Sequence, residues 1–321
     1  MLRTLRLALA FVAAALACAP ALAQTYPARP ISLVVPYGAG GGTDLFARAY
    51  ATELGNRLKQ SVVVENVPGA GGTIGVQRVS GATPDGYTLV VSNGIEFEML
   101  QMADPDSAKG RRTQLQPVAL IGTQPMVLVA RAGLGFKAAD DLVKAAKAKP
   151  GALSLASSGP GTSLHLAGEM IKKAAGIELL NVPYKSAPQI VTDLVAGNVD
   201  LAVLTVPSAA AHIRSGALSA LGVTDVARSP ALPDVPMLSE SATFKGIDTK
   251  VWYAIFGPPG LPAGIAQTLA DTTQAMTKDP AFRDKLVAMM ITPATSGSAA
   301  ELEAMRATQL ANFQRALAGG K

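Results

Sequence analysis

The sequence has few of the residues that build metal, redox and disulfide sites. It contains one cysteine, Cys18, and two histidines, His165 and His212, in 321 residues. A single cysteine cannot form an internal disulfide, and two histidines without a carboxylate cluster at ligand spacing do not form a multi-histidine metal site. We therefore expect no metal and no cofactor.

A strong charge of one sign is also missing. The 28 lysines and arginines and the 23 acidic residues give a formal net charge of +5, and these charges are scattered along the chain. Such a distribution lacks the basic patch that nucleic-acid binding requires, so we expect no nucleic-acid partner. Beyond the N-terminus, no apolar run approaches the roughly 20 residues of a membrane-spanning helix.

The first 23 residues have the pattern of an export signal. Arg3 and Arg6 precede the apolar stretch LALAFVAAALA, and ALA at 21–23 supplies small residues for cleavage. Cleavage there would start the mature chain near Gln24 and remove two basic residues and no acidic one, which lowers the net charge from +5 to +3. The pattern predicts a soluble periplasmic protein. Cleavage before Cys18, which would give a lipoprotein, fits the sequence less well.

Apolar runs alternate with helical patterns along the rest of the chain, which favours an α/β fold with largely parallel sheets. The alternation is interrupted over 96–116, where we expect a loop, and it starts again near residue 125. We expect two lobes that enclose a cleft, with the chain crossing twice between them. The predicted first lobe comprises 24–124 and 231–321, and the inserted second lobe comprises 125–230.

Two details of the elements are also predicted by periodicity. The helical segment DLFARAYATELGNRLKQ places its apolar residues Leu45, Ala49, Leu54 and Leu58 near one face. Near the C-terminus, the pattern predicts two helices, at about 263–277 and 299–317.

A glycine-rich turn, PYGAGGGTD at 36–44, joins the first predicted strand to this helix. The turn lacks the lysine of a P-loop, and its spacing does not match a dinucleotide-binding motif. Its backbone N–H groups and those of the helix can instead bind an anion, although a tight turn that only requires positive φ is the alternative. The candidate ligand-binding residues of this turn are Tyr37, Ala39, Gly40, Gly41, Gly42, Thr43 and Asp44.

A second turn of the same kind lies in ASSGPGTSLH at 156–165. Two such turns at the C-terminal ends of strands would face each other across the cleft, where α/β folds bind ligands. The candidate residues here are Ser157, Ser158, Gly159, Gly161, Thr162 and His165, whose hydroxyl groups add donors to those of the backbone. An exported hydrolase with Ser158 as nucleophile and His165 as base is an alternative, although the segment lacks a G-x-S-x-G motif.

Several ordered blocks of the sequence resemble the Bug-type receptors, which are the extracytoplasmic solute-binding proteins of tripartite tricarboxylate transporters. The blocks include YPARPISLVVPYGAGGGTD, VVVENVPGAGGTIG, GPGTSLHLAGEM and NVPYKSAPQIVTDLVAGNVDLA. The resemblance extends over nearly the whole mature chain. It implies a periplasmic-binding-protein fold of the Venus flytrap type (type II-like), no enzymatic activity, capture of a small carboxylate, and delivery to membrane transporter subunits. We expect a monomer.

The resemblance also implies roles for individual residues. Family members hold the ligand carboxylate between the first glycine turn and a G-x-G-x-x-x-H-L turn, which here contains Gly159, Gly161 and His165. Tyr184 and Lys185 in VPYKS lie at another predicted strand end, where the lysine could meet a second carboxylate. A turn with a solvated lysine is the alternative for this segment.

Three departures from the family pattern bear on the ligand. PYGAGGG replaces the usual PFPPGG and so loses two prolines, and the segment 96–116 lacks the usual YDPxxDF. Leu204 and Thr205 stand where relatives commonly carry an Asp-Asn pair, which argues against an amino-acid ligand. The departures favour a ligand with an apolar or aromatic body and one or two carboxylates, within the wider class of di- and tricarboxylates and aromatic acids that the resemblance implies. An alternative function is a carboxylate sensor that signals to a membrane kinase, because such a sensor would need the same binding site.

Overall fold

The computed structural model describes residues 26–92, 115–160 and 162–318. The predicted signal sequence at 1–23, Cys18, nearly all of the predicted loop at 96–116, and Gly161 lie outside the described residues. Within the described part, no helix combines the length and the hydropathy that a membrane span requires.

Strands and helices alternate along the described chain. The strands are β1 (Ile31–Val35), β2 (Val62–Asn66), β3 (Thr88–Ser92), β4 (Gln116–Arg131), β5 (Ser154–Ser157), β6 (Leu180–Pro183), β7 (Leu201–Thr205), β8 (Leu218–Val223), β9 (Lys250–Gly257) and β10 (Thr292–Pro293). The α-helices are α1 (Gly42–Leu58), α2 (Thr73–Ser80), α3 (Ala139–Ala148), α4 (Ser163–Ala175), α5 (Ala187–Ala196), α6 (Val206–Arg214), α7 (Ala263–Lys278), α8 (Pro280–Ala288) and α9 (Ala299–Ala318).

One continuous sheet runs through both lobes, in the order β2-β1-β3-β9-β4-β7-β5-β6, with β8 and β10 also paired to β4. Parallel pairs lie near the two ends of this order, where β1 pairs with β2 and β3, and β5 pairs with β6 and β7. The central strands β4 and β9 run antiparallel to their neighbours. The expectation of an α/β fold is therefore confirmed, but the sheet is mixed at its centre.

The long strand β4 joins the two lobes. Its residues up to Pro125 pair with β9 in the first lobe, and its residues from Met126 onward pair with β7 and β8 in the second. The returning chain passes close by, because the N–H of Thr224 donates to the carbonyl of Met126 and the N–H of Thr249 donates to the carbonyl of Thr224, both over 3.0 Å. The chain thus crosses between the lobes through two adjacent, hydrogen-bonded segments.

The C-terminal region contains one helix more than the periodicity predicts. Helices α7 and α9 match the two predicted helices closely, but α8 (Pro280–Ala288) lies between them. Its start is specified by Asp279, whose side chain accepts a hydrogen bond from the N–H of Ala281 over 2.9 Å, and by proline at the first helical position. The dipeptide Asp279-Pro280 is therefore the sequence signal for the start of α8.

The buried face of α1 agrees with the predicted one at Leu54, which is fully buried, and at Leu58, which packs against the core, but it differs at the start of the helix. Leu45, expected on the apolar face, is 55% exposed, whereas Phe46 and Tyr50 are fully buried. The Phe46 ring lies 4.5 Å from the ring of Tyr253 on β9 and 5.9 Å from that of Tyr50. The aromatic side chains determine the rotation of the helix because they bury more apolar surface than a leucine does. The face that includes Leu45 is left exposed.

Replacement of Phe46 by alanine should destabilise the protein strongly, because it leaves a cavity beneath the helix that carries the glycine turn. We expect Phe46→Ala to lower the free energy of unfolding by about 3–5 kcal/mol, measured by urea denaturation. The adjacent change Leu45→Ala is the control and should cost less than about 0.5–1 kcal/mol. Equal losses in the two variants would contradict the observed orientation of α1.

Candidate functional site

Four helices begin at one cleft between the lobes. Each follows the C-terminal end of a strand: α1 follows β1, α4 follows β5, α5 follows β6 and α6 follows β7. The residues that cap these helices are Gly41, Thr162, Ser186 and Thr205, and all four line the cleft. One helix start belongs to the first lobe and three belong to the second.

The chemical consequence of this convergence is an affinity for anions. The first turn of a helix has N–H groups without intrahelical partners, and the helix dipole gives that end a partial positive charge. A carboxylate or phosphate placed at such an end is stabilised by both effects. Four helix starts at one cavity therefore give the cleft a positive electrostatic character without any arginine.

Both lobes contribute to the lining of the cleft. The first lobe supplies Tyr37, Gly38, Gly41, Gly42, Thr43, Asp44 and Val251, and the second supplies Ser158, Thr162, Ser163, Leu164, Lys185, Ser186, Ala187 and Thr205. The cavity between them is narrow, with a volume of about 50 Å³. The lobes are close together, because a Cβ added at Gly38 would lie 3.4 Å from the carbonyl oxygen of Lys185.

Asp44 organises the first glycine turn from beneath. The side chain is 3% exposed. Its carboxylate accepts hydrogen bonds from the N–H of Gly40 (3.0 Å), from Nδ2 of Asn66 (3.0 Å) and from Nε of Arg48 (3.1 Å), while Nη2 of Arg48 lies 2.9 Å from its second oxygen. The Asn66 amide also donates to the carbonyl of Tyr37 over 3.1 Å. These bonds fasten both ends of the turn to β2 and α1.

The charge of Asp44 is thereby neutralised within the protein. Burial by itself would raise the pKa of this carboxyl, but the hydrogen bonds from Arg48, Gly40 and Asn66 outweigh burial and hold the pKa below its usual value. The carboxylate therefore stays ionised and paired at neutral pH. The negative charge of Asp44 does not oppose an anion in the cleft as an unpaired carboxylate would.

The second turn is held by its threonine. The Thr162 hydroxyl donates to the carbonyl of Gly159 over 2.9 Å and accepts from the N–H of His165 over 3.3 Å, so Thr162 is the N-cap of α4. Gly159 has φ of +100°, a conformation that favours glycine. Ser158 lies in the cleft lining beside Thr162. Gly161, also a candidate, lies outside the described residues.

Several predicted residues lie away from the cavity. Ser157 is buried and donates its hydroxyl to Oδ1 of Asn181 over 3.1 Å. Tyr184 donates to Asp193 over 2.7 Å, and burial together with this hydrogen bond raises the pKa of Tyr184 to about 12. Ala39 is exposed in the turn. None of the three appears in the cleft lining.

Three more candidates, His165, Gly40 and Gly159, are also absent from the cleft lining. The His165 ring points along its own helix, with Nε2 3.7 Å from a carboxylate oxygen of Glu169, and burial lowers the pKa of His165 against the opposing effect of Glu169. Ser158 lines the cleft and His165 does not, so the structure does not assemble a nucleophile and its base in the cavity. Gly40 lines a neighbouring groove rather than the cleft.

Six lining residues are absent from the sequence-based candidates. They are Gly38, Ser163, Leu164, Ser186, Ala187 and Val251. Ser186 carried a usable signal, because Ser-Ala-Pro is a typical N-terminal helix sequence in which serine caps the helix and proline occupies its first turn. Val251 carried no such signal, because it belongs to the return strand β9 and reaches the cleft only through the tertiary fold.

A buried polar cluster forms the floor of the cleft near the lobe crossing. The Tyr253 hydroxyl donates to Oε1 of Gln124 over 2.8 Å, and Nε2 of Gln124 donates to the carbonyl of Met289 over 2.8 Å. A Cβ added at Gly42 would lie 3.4 Å from Oη of Tyr253 and 3.5 Å from Oγ1 of Thr205. The turn therefore packs directly on Tyr253 of β9 and Thr205 of β7.

The ionisable content of the cleft is small. Among the described lining residues, the charged side chains are Asp44, which is paired, and Lys185, which is exposed and forms no ion pair within the described part of the chain. The described residues also contain no group of three or more His, Cys, Asp or Glu that could hold a metal ion.

Comparison with known proteins places this geometry in a family. Residues 46–317 match the family model described as the tripartite tricarboxylate transporter family receptor, TctC. The chain belongs to this family. TctC receptors are periplasmic solute-binding proteins and not enzymes, and the predicted resemblance to Bug-type receptors is confirmed.

Curated relatives and solved structures agree with this assignment. A UPF0065 protein of Bordetella pertussis is 39% identical over 277 residues, and the match covers 85% of this chain and 84% of the relative. BugT of the same species is 36% identical over 251 residues, and the match covers 78% of this chain and 77% of BugT. The periplasmic binding protein BugD is 32% identical with a TM-score of 0.81, and the match covers 90% of this chain and 96% of BugD.

Two further structures contain ligands. Rpa4515 of R. palustris, solved with adipate, is 28% identical with a TM-score of 0.84 and coverage of 91% and 97%. MatC from Rhodopseudomonas palustris, solved with bound malate, is 25% identical with a TM-score of 0.83 and coverage of 91% and 99%. The expected two-lobed binding-protein fold is confirmed by these similarities.

The paired charge of Asp44 should make the stability of the protein depend on pH. Because the folded-state pKa of Asp44 is lowered, its stabilisation is present above the unfolded pKa of about 4 and is lost as the pH falls through the folded value. We expect Asp44→Asn to lower the free energy of unfolding by about 1–3 kcal/mol at pH 7, because the Arg48 charge loses its partner. The difference from wild type should shrink below pH 4, as urea titrations at several pH values can measure.

Exposed Asp234 provides the control for this prediction. Asp234→Asn should change stability by less than about 0.5 kcal/mol at either pH. A loss for Asp44→Asn that is the same at pH 7 and pH 3 would show that side-chain shape, and not charge, fixes the turn.

Proposed function

We propose that this protein is a periplasmic receptor that binds a small carboxylate between its lobes and delivers it to the membrane subunits of a tripartite tricarboxylate-type transporter. The observation that carries the proposal is the convergence of the helix starts of α1, α4, α5 and α6 on one cleft. The carboxylate accepts hydrogen bonds from the backbone and hydroxyl groups of these helix starts. Lys185 at the rim adds a positive charge for the same ligand.

The strength of such a site is adequate for a transport receptor. A hydrogen bond to a charged group contributes about 1.5–3 kcal/mol, so four of them contribute about 6–12 kcal/mol before the costs of ordering and lobe closure. A micromolar dissociation constant corresponds to about 8 kcal/mol. Backbone and hydroxyl donors can therefore give a dissociation constant of micromolar order for the carboxylate, and no arginine side chain is needed.

The relatives support a carboxylate as the ligand class. The structures of Rpa4515 with adipate and of MatC with malate both have this fold and match it over 91% of the chain. Both ligands are dicarboxylates. The replacement of an expected acidic residue by Leu204 and Thr205 supports a ligand without an amino group, which excludes an amino acid from the proposal.

Export and lobe closure are parts of the same proposal. Residues 1–23 act as a cleavable signal, and the mature chain starts near Gln24. Residues 24–124 with 231–321 form one moving body and residues 125–230 the other, hinged at the two crossing segments. The receptor acts as a monomer, because one chain supplies both walls of the cleft.

A charge test at Gly41 examines the anion site directly. Gly41 has φ of −78° and ψ of 168°, an extended conformation that aspartate and asparagine adopt readily as helix N-caps. Gly41→Asp and Gly41→Asn have the same shape and differ in charge. A panel of mono-, di- and tricarboxylates that includes malate and adipate is first screened by thermal shift, and the tightest is titrated by calorimetry. We expect Gly41→Asp to bind it at least 100-fold more weakly than Gly41→Asn.

The outcome of this comparison decides the location of the site. Both variants should retain the melting temperature of the wild type within a few degrees, because both residues cap helices well. Equal affinity in the Asp and Asn variants would place the ligand elsewhere, and the absence of binding by any carboxylate in the wild type would overturn the proposed function.

Lobe closure can be measured separately. Small-angle scattering should show a smaller radius of gyration when the tightest carboxylate of the panel is saturating, because the ligand binds both lobes only in the closed state. An unchanged scattering profile at saturating ligand would contradict closure while leaving the binding site intact. Gly41→Asp, which should not bind, is the control and should show no change.

A further inference from the structure

A second cavity, here called the apolar groove, lies next to the cleft. It has a volume of about 560 Å³ and is bounded by the start of α1 in the first lobe and by α5 and α6 in the second. Its apolar walls are Leu45, Pro188, Val191, Val195 and Pro207. Leu45 is 55% and Val195 is 51% exposed, so two large apolar side chains face solvent here.

The apolar groove contains little charge. No lysine, arginine, aspartate or glutamate occurs among its described lining residues, whose polar members are Thr192, Ser208 and His212. The Thr192 hydroxyl donates to the carbonyl of Pro188 over 3.0 Å, and Ser208 shares a hydrogen bond of 2.9 Å with Thr205. The groove is therefore suited to an uncharged, apolar group.

The apolar groove and the anion cleft are adjacent at three helix starts. At α1, Gly41 lines the cleft, Gly40 lines the groove and Gly42 lines both. At α5, Ala187 lines the cleft and Pro188 the groove.

The third helix start at which the two cavities are adjacent is that of α6. Thr205 lines the cleft, and its hydrogen-bond partner Ser208 lines the groove. A Cβ added at Gly42 would lie 3.5 Å from Oγ1 of Thr205. The starts of α1 and α6 are therefore in close proximity where the two cavities adjoin.

The sizes of the two cavities indicate how they share one ligand. The cleft, at about 50 Å³, has room for about four water-sized volumes, which suits a carboxylate group. The groove, at about 560 Å³, falls within the range of pockets that hold small organic molecules. The groove is the adjacent cavity with room for the remaining atoms of a ligand whose carboxylate lies at the helix starts.

We propose that the apolar groove is the specificity subsite of the receptor and takes the uncharged apolar body, aliphatic or aromatic, of a monocarboxylate whose carboxylate lies in the cleft. This inference rests on the proposed function, because it requires the carboxylate to bind at the helix starts. It goes further by assigning the second end of the ligand. A second carboxylate in the groove would lose its hydration without meeting a cation.

The test is a chain-length series with the purified mature protein at pH 8, where histidine carries little charge. Acetate, butyrate, hexanoate and octanoate are titrated by calorimetry, with adipate as the dicarboxylate of the same length as hexanoate. Burial of each methylene should tighten binding about fourfold between butyrate and octanoate. Hexanoate should bind at least tenfold more tightly than adipate.

Two valine variants place the effect in the groove. Val195 lies at the next-to-last position of α5 and lines the groove, and Val287 lies at the next-to-last position of α8, is 61% exposed and lies outside both cavities. Val195→Asp should weaken octanoate binding at least tenfold and butyrate binding less. Val287→Asp, which carries the same charge change at an equivalent helix position, should leave both affinities within twofold of wild type.

The outcomes separate the two proposals. Affinities that do not change with chain length, adipate binding tighter than hexanoate, or equal effects of the two valine variants would each overturn the groove assignment and leave the carboxylate receptor intact. Failure of every carboxylate to bind the wild type would overturn both proposals.

Discussion

The candidate site depends on the direction in which four strands end. β1, β5, β6 and β7 each deliver their following helix to the same cleft, so the positive ends of four helix dipoles meet there. This arrangement requires the two halves of the sheet to face each other at their carboxyl ends. The long strand β4, which belongs to both halves, holds them in that relation. The sheet topology thus creates the electrostatic character of the cleft before any individual side chain contributes to it.

A glycine turn at such a site must approach an anion closely and still keep one shape. The turn has glycine at four of the five positions 38–42, so its own backbone is little restricted. Asp44, Asn66 and Arg48 supply the missing constraint, because they fix the carbonyl of Tyr37 and the N–H of Gly40 from beneath. Hydrogen bonds to a buried, paired carboxylate therefore hold this glycine-rich turn in one conformation.

The distribution of charge around the cleft explains how one fold can serve different carboxylates. In the proposed binding mode, the helix starts hold one carboxylate through backbone groups, which are independent of side-chain identity. The rest of the ligand meets the residues around that point, which here include the uncharged lining of the groove from Leu45 to Val195. Relatives solved with adipate and malate have the same fold at 25–28% identity, so the fold alone does not fix the ligand.

Local signals in the amino-acid sequence are enough to establish the α/β class, the glycine turn at 36–44 and the helix start at Thr162, because glycine, capping and periodicity patterns act over a few residues. They do not show that Phe46 rather than Leu45 faces the core, since that depends on contact with Tyr253, about 200 residues away. Long-range packing brings Val251 into the cleft and pairs Asp44 with Asn66. These outcomes depend on contacts between distant segments, and such contacts leave no periodic signal in the sequence.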